Sequence, residues 1–208
     1  MLSGKTAFYD QYVKSGAYSA QERFSNFDRT FHDLEGMTWG IIGMGTIGRK
    51  VASLADAFGC KVQFYSASGS STCTDYPRVG LDTLLCTSDI VSLHCPLTDR
   101  TRSLIDKHAF EKMKPTAILI NVARGPIVNT QDLYEALTTG KIMAAGLDVL
   151  EKEPMAHNNP LSQIQDSTKL IITPHMSWAS VESRTRLIAE VAKNIQAFLD
   201  GVDRNVIN

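Results

Sequence analysis

The sequence is short of several features that would narrow its function at once. It shows no apolar stretch long enough to span a bilayer and no basic-then-apolar leader, which predicts a cytoplasmic protein. Charge of neither sign is in excess. With 21 Lys and Arg against 22 Asp and Glu, the formal net charge is -1, so nothing electrostatic draws the chain to nucleic acid or to an anionic membrane. The four cysteines, Cys60, Cys73, Cys86 and Cys95, form no C-x-x-C pair and no metal-ligand spacing. Three lie in or beside apolar runs, so they read as buried thiols in a reducing compartment, and no metal is expected. There is no internal repeat and no low-complexity linker. A chain of 208 residues is long enough for one well-filled core, or for one core and a small annex.

What the sequence does have is alternation. Short apolar runs, many rich in β-branched or aromatic residues, fall at 39–42, 62–65, 90–93, 117–122, 143–149 and 170–173, as strands buried on both faces should. Between them lie helical stretches at 47–58, 81–86, 107–113 and 130–139. The first is apolar at Ile47, Val51, Leu54, Ala55 and Phe58, which is helix spacing, and Gly140 follows the last as a terminator. Six strands with helical crossovers predict an α/β fold, a doubly wound parallel sheet of Rossmann type over residues 37–178. The ends stand apart. Residues 1–36 read as a helix from Leu2 to Lys14 and then a polar arm carrying Tyr18, Phe24, Phe27 and Phe31. Residues 179–208 read as one long C-terminal helix from Glu182, apolar at Leu187, Ile188, Val191, Ile195, Phe198 and Leu199. Residues 66–74, rich in Ser and Thr, read as a loop after the second strand.

The strongest local motif follows the first strand. Gly43, Gly45 and Gly48 form G-x-G-x-x-G between a strand and a helix. The first glycine permits a tight turn, the second lets the backbone approach a pyrophosphate, and the third lets the helix pack close to the strand. Free N–H groups at the helix start, at Thr46 and Ile47, favour an anion there. An acid at the end of the second strand would grip the adenosine ribose hydroxyls, but Ser66 stands at that place. A serine does not repel a 2′-phosphate, yet no Arg or Lys lies within 66–75 to bind one. NAD is the expected cofactor, and the choice between NAD and NADP stays open.

Five stretches together carry a resemblance. They are 40–52, 88–98 (S-D-I-V-S-L-H-C-P-L-T), 117–128 (A-I-L-I-N-V-A-R-G-P-I-V), 144–154 (A-A-G-L-D-V-L-E-K-E-P) and 172–179 (I-T-P-H-M-S-W-A). In this order and spacing the chain resembles the D-isomer-specific 2-hydroxyacid dehydrogenase family over nearly its whole length. The P-H-x-x-W-A form is similar to the glycerate dehydrogenase and hydroxypyruvate reductase branch. The resemblance implies hydride transfer between a nicotinamide cofactor and a small D-2-hydroxy or 2-oxo acid. It makes His175 the proton donor, Glu153 the carboxylate that pairs with it, and Arg124 the group that binds the substrate carboxylate. Those residue types suit those tasks. Histidine titrates near neutrality, an adjacent carboxylate favours imidazolium, and a guanidinium is a permanently charged planar fork. By resemblance, Asp148 lies near the nicotinamide, and Cys95, Pro96, Thr101, Val122 and Ala123 also border the cofactor, as do Arg124 and His175. His94 reads as structural; His32, His108 and His157 match nothing.

Two further expectations come from the resemblance. Members of the family have a second, flavodoxin-like substrate lobe built mostly from residues ahead of the dinucleotide domain. Only about 38 residues precede the first strand here, too few for such a lobe, which needs on the order of 100. The chain therefore reads as N-terminally truncated, and by itself is expected to bind dinucleotide and to turn over slowly or not at all. The aromatic arm corresponds to a segment that contacts a partner subunit, which predicts a homodimer. The reading from another class is a dinucleotide-sensing interaction module of the corepressor type. A Rossmann methyltransferase is disfavoured because its chemistry has no use for the His, Glu and Arg set.

Overall fold

A computed structural model describes residues 1–206. The chain divides into two compact units, one of Met1–Pro174 and one that begins at His175.

The first unit is built on six parallel strands: β1 (Thr38–Ile42), β2 (Lys61–Tyr65), β3 (Ile90–Leu93), β4 (Ile118–Asn121), β5 (Ala144–Leu147) and β6 (Leu170–Ile172). Their order across the sheet is β2-β1-β3-β4-β5-β6. Parallel strands need crossovers, and four of the five are the helices α2 (Thr46–Ala57), α3 (Leu81–Thr87), α4 (Lys107–Lys112) and α5 (Thr130–Thr138), while the link from β5 to β6 holds only the 3₁₀ turn Pro160–Gln163. The doubly wound Rossmann sheet expected from the alternation is therefore what forms. The strands are near-continuous apolar runs because helices cover both faces. Ile41 and Phe64 pack with Ala52 and Ala55 of α2 on one face. Ile42, Val91 and Leu119 pack with Leu84, Phe110 and Leu133 of α3, α4 and α5 on the other. Alternation along β1 thus sends neighbours Ile41 and Ile42 into different cores.

The N-terminal segment departs from expectation. The first helix, α1 (Thr6–Lys14), starts four residues after Leu2. Met1–Lys5 instead form a tight turn, with Thr6 N–H donating to Met1 O at 3.1 Å and Lys5 in the left-handed region at φ 51°. Leu2 is left free to bury itself against Ile90, Ile118 and Ala144. Burial of an apolar side chain on an otherwise open part of the sheet outweighs one more turn of helix. Three cysteines, Cys60, Cys73 and Cys95, are buried and Cys86 is exposed; all four are free thiols.

The second unit is dominated by α6 (Val181–Leu199), one residue longer at its start than the periodicity indicates. Ser180 caps it by accepting the Ser183 N–H. Arg204 folds back on Glu190 and Asn194 and closes its last turns. None of its residues is buried, and Ile188 and Phe198 are among the exposed apolar side chains. No helix among the described residues is long and apolar enough to cross a membrane.

Candidate active site at the C-terminal edge of the sheet

Three loops leave the C-terminal ends of β1, β4 and β5. The first is the glycine turn. Gly43 sits at φ +99°, its N–H donates to Tyr65 O at 3.0 Å, and a Cβ there would meet Cys95 N at 2.6 Å. A Cβ on Gly48 would come within 2.1 Å of Gly43 O. Gly45 is different, because a Cβ there would meet nothing within 4 Å. The open space at Gly45 faces a cleft of about 650 Å³. The first backbone bond of α2 runs from Arg49 N–H to Gly45 O at 2.9 Å, so the N–H groups of Thr46, Ile47 and Gly48 have no intrahelical acceptor. A pyrophosphate fits this cradle: the backbone is bare, the space is open, and the donors converge.

Of the residues expected at the cofactor, Gly43, Gly45, Ser66, Cys95, Pro96 and Thr101 line this cleft. Thr46 and Ile47 are exposed on the first turn of α2, with Gly48 buried behind them. Thr101 plays a shaping part. It is 2% exposed, and its hydroxyl donates to Pro96 O at 2.7 Å and accepts the Thr98 N–H at 2.7 Å. Those bonds hold the 96–101 turn. Burial pushes the Cys95 thiol up to about 11, so it is protonated and unreactive at neutral pH. His94 also lines the cleft. Its Nε2 lies 3.0 Å from Ser92 Oγ, its Nδ1 is buried with no partner among the described residues, and desolvation lowers its pKa to about 4.

The second loop carries Arg124. Asn121, at the end of β4, is 1% exposed, and its side chain clamps the turn that follows. Its Oδ1 accepts the Ala123 N–H at 3.0 Å, and its Nδ2 donates to Arg124 O at 2.9 Å. Val122, Ala123 and Arg124 are thereby held at the surface, with Arg124 Nη1 donating to Ala123 O at 2.7 Å. A short 3₁₀ turn, Gly125–Ile127, follows. The third loop carries Glu153, whose Oε1 accepts the Leu150 N–H at 2.8 Å. Gly125 ties the second loop to the third, because a Cβ on it would fall within 1.9 Å of Leu150 C and O. Only bare backbone allows that approach. Asp148 lies just beyond β5, 4% exposed, and accepts the Thr173 hydroxyl. In the second unit, His175 is its first residue, exposed and at φ +51°.

The family model for the NAD binding domain of D-isomer specific 2-hydroxyacid dehydrogenases matches residues 1–177. The chain belongs to this family. A hydroxypyruvate reductase of Blautia hydrogenotrophica is 40% identical over 202 residues, which is 96% of this chain and 62% of that protein. A crystal structure of D-lactate dehydrogenase from Aquifex aeolicus, complexed with NAD and lactic acid, superposes with a TM-score of 0.86 at 31% identity, covering 96% of this chain and 63% of that one. A structure of an acyclic imino acid reductase in complex with NADPH and D-Arg gives 0.87 at 30% identity, covering 100% and 64%. The chain thus spans under two thirds of the length of these relatives. As a 2-hydroxyacid dehydrogenase NAD-binding domain, it has the cradle its family needs. Sequence reasoning named the glycine turn and Arg124 but missed the parts played by Asn121 and Gly125. The signal was present in the string N-V-A-R-G, where an amide and a glycine bracket the arginine.

Two measurements check this geometry. Gly45→Ala is expected to leave the melting temperature within about 2 °C and to weaken dinucleotide binding at least about tenfold, because the methyl enters only the ligand's space. Gly48→Ala is expected to lower the melting temperature itself, since its methyl meets backbone. Calorimetry with dinucleotide titration separates the two; equal loss of stability in both would contradict the assignment. The second concerns pH. His94 ionises in the unfolded chain near 6.5 but in the folded one near 4, so the unfolded state binds the extra proton first. Stability is expected to be unaffected by His94 above pH 6.5 and to decline between 6.5 and 4, by about 2 kcal/mol after discounting residual solvent access. Denaturant unfolding of His94→Gln across that range should show a shallower loss than the parent.

Proposed function

We propose that this chain is the cofactor-binding and catalytic portion of an NAD(P)-dependent oxidoreductase that interconverts a small D-2-hydroxy acid and its 2-oxo acid, of the glycerate, hydroxypyruvate or glyoxylate type. A nicotinamide dinucleotide, when bound, supplies or accepts the hydride. The remaining tasks fall to side chains of this chain. Arg124 pairs with the substrate carboxylate through its planar fork and polarises the neighbouring carbonyl. His175 gives a proton to the carbonyl oxygen in reduction and removes it in oxidation. Glu153 is the proposed partner that favours its charged form, and Asp148 the carboxylate beside the nicotinamide carboxamide.

The observation that carries this reading is the union of the Arg124 and Glu153 loops through Gly125, at the same sheet edge as the glycine cradle. A structural ion on a surface turn needs no such clamp. The relatives named above are reductases and a dehydrogenase, which favours an enzyme over a corepressor-type sensor. A cytoplasmic location accords with four free thiols. We also propose a homodimer through the N-terminal arm, where Phe24 is 89% and Phe27 74% exposed.

Fusion of this chain behind the portion of the Blautia reductase that it does not match supplies a second lobe for assay. In that protein, oxidation of reduced cofactor with hydroxypyruvate or glyoxylate is expected, and His175→Ala should lower turnover by about 10²–10⁴-fold. Full activity in the variant would exclude His175 as the proton donor. Light scattering at micromolar concentration is expected to give twice the chain mass, and a monomer would refute the arm contact.

A further inference from the structure

The end of β2 offers a ribose no acid, and residues 66–75 offer no base. The fold brings two bases to this place from elsewhere. β2 is an edge strand, and residues 77–79 run parallel along its free side. Phe64 N–H donates to Pro77 O at 2.9 Å and Val79 N–H to Phe64 O at 2.9 Å, which fixes Arg78 beside the strand's last residues. Arg100 arrives from the other direction, in the turn after β3 that the buried Thr101 hydroxyl holds in shape.

Arg78 and Arg100, with Ser66, Ser68 and Gly69, line a cleft of about 340 Å³ whose lining contains no carboxylate. It joins the larger cleft, for Ser66, Ala67, Ser68 and Arg100 line both. Among the described residues, neither arginine has an ion-pair partner. The nearby acids are Asp99, on the rim of the larger cleft, and Asp75, which faces Arg49 at 3.9 Å. Two guanidinium groups and serine hydroxyls beside a ribose site form a seat for a phosphate dianion.

Resting on the dinucleotide reading above, we infer that this second cleft receives the 2′-phosphate of NADP(H), and that Arg78 and Arg100 give the chain a preference for NADPH over NADH. Ser66 reinforces the preference in two ways. It leaves the 2′-phosphate unopposed by negative charge, and it denies NADH the carboxylate that would accept both ribose hydroxyls.

Titration of the chain with NADPH and with NADH, followed by calorimetry or nicotinamide fluorescence, tests this without any turnover. NADPH is expected to bind at least about tenfold more tightly, with the margin narrowing at high salt. Arg78→Gln and Arg100→Gln should each weaken NADPH by about 5- to 30-fold and leave NADH within about twofold, at unchanged melting temperature. Adenosine 2′,5′-bisphosphate should displace NADPH at lower concentration than 5′-AMP. Equal affinity for the two dinucleotides, or arginine variants that weaken both alike, would overturn the inference while leaving the dinucleotide reading intact. Failure of both to bind would overturn that reading, and the inference with it.

Discussion

Close contact between backbones, at positions where a single methyl group would not fit, governs the C-terminal edge of this sheet. Gly48 lies against the Gly43 carbonyl, Gly43 against the Cys95 amide, and Gly125 against the Leu150 carbonyl. Each contact joins a loop to one that is distant in sequence or to the far side of its own turn. The consequence is that loop geometry here is set by main chain, which cannot change rotamer. The side chains these loops carry are held by that main-chain geometry. Strand order decides which loops can meet in this way. Because β1 stands between β2 and β3, its glycine turn is bounded by the ends of both, and a crevice opens at that point.

Most of this architecture was legible in the sequence because burial on both faces writes strands as plain apolar runs. The six runs and the four crossover helices are found where hydrophobic pattern put them, displaced by a residue or two at their ends. The displacement has a cause at β4. The run continues through Val122, but Asn121 bonds Ala123 N–H and Arg124 O and so turns the chain early. Amide side chains competing for backbone groups are invisible to an apolar count. The start of α1 was missed for a related reason. Leu2 fits the helical period, but its burial against Ile90 and Ile118 depends on a sheet over 80 residues away in sequence.

The same limit explains the site. Residues of a string such as N-V-A-R-G or P-H-x-x-W-A are readable because their spacing is local. Arg78 and Arg100 are not, since their approach to Ser66 is made by an edge bridge on one side and a buried threonine on the other. A search for cations within one loop stops at Asp75, three residues short of Arg78. Charge at a binding site is a property of the folded surface, and only the strand order shows which segments share it.

Two histidines show how position divides one residue type into different work. His94 is held partly out of water, bonded to Ser92, with its charged form disfavoured. It adds shape to the cleft wall and resists becoming a cation there. His175 is exposed and occupies the left-handed region, where a non-glycine residue is uncommon and histidine is among the better tolerated. A backbone held in that region directs the side chain along a path that an extended residue after β6 would not take. A backbone in a sparsely populated region costs on the order of 1–3 kcal/mol and persists only where its surroundings hold it. The histidine at positive φ is the one proposed for proton transfer, and the half-buried one shapes the cleft of the first unit.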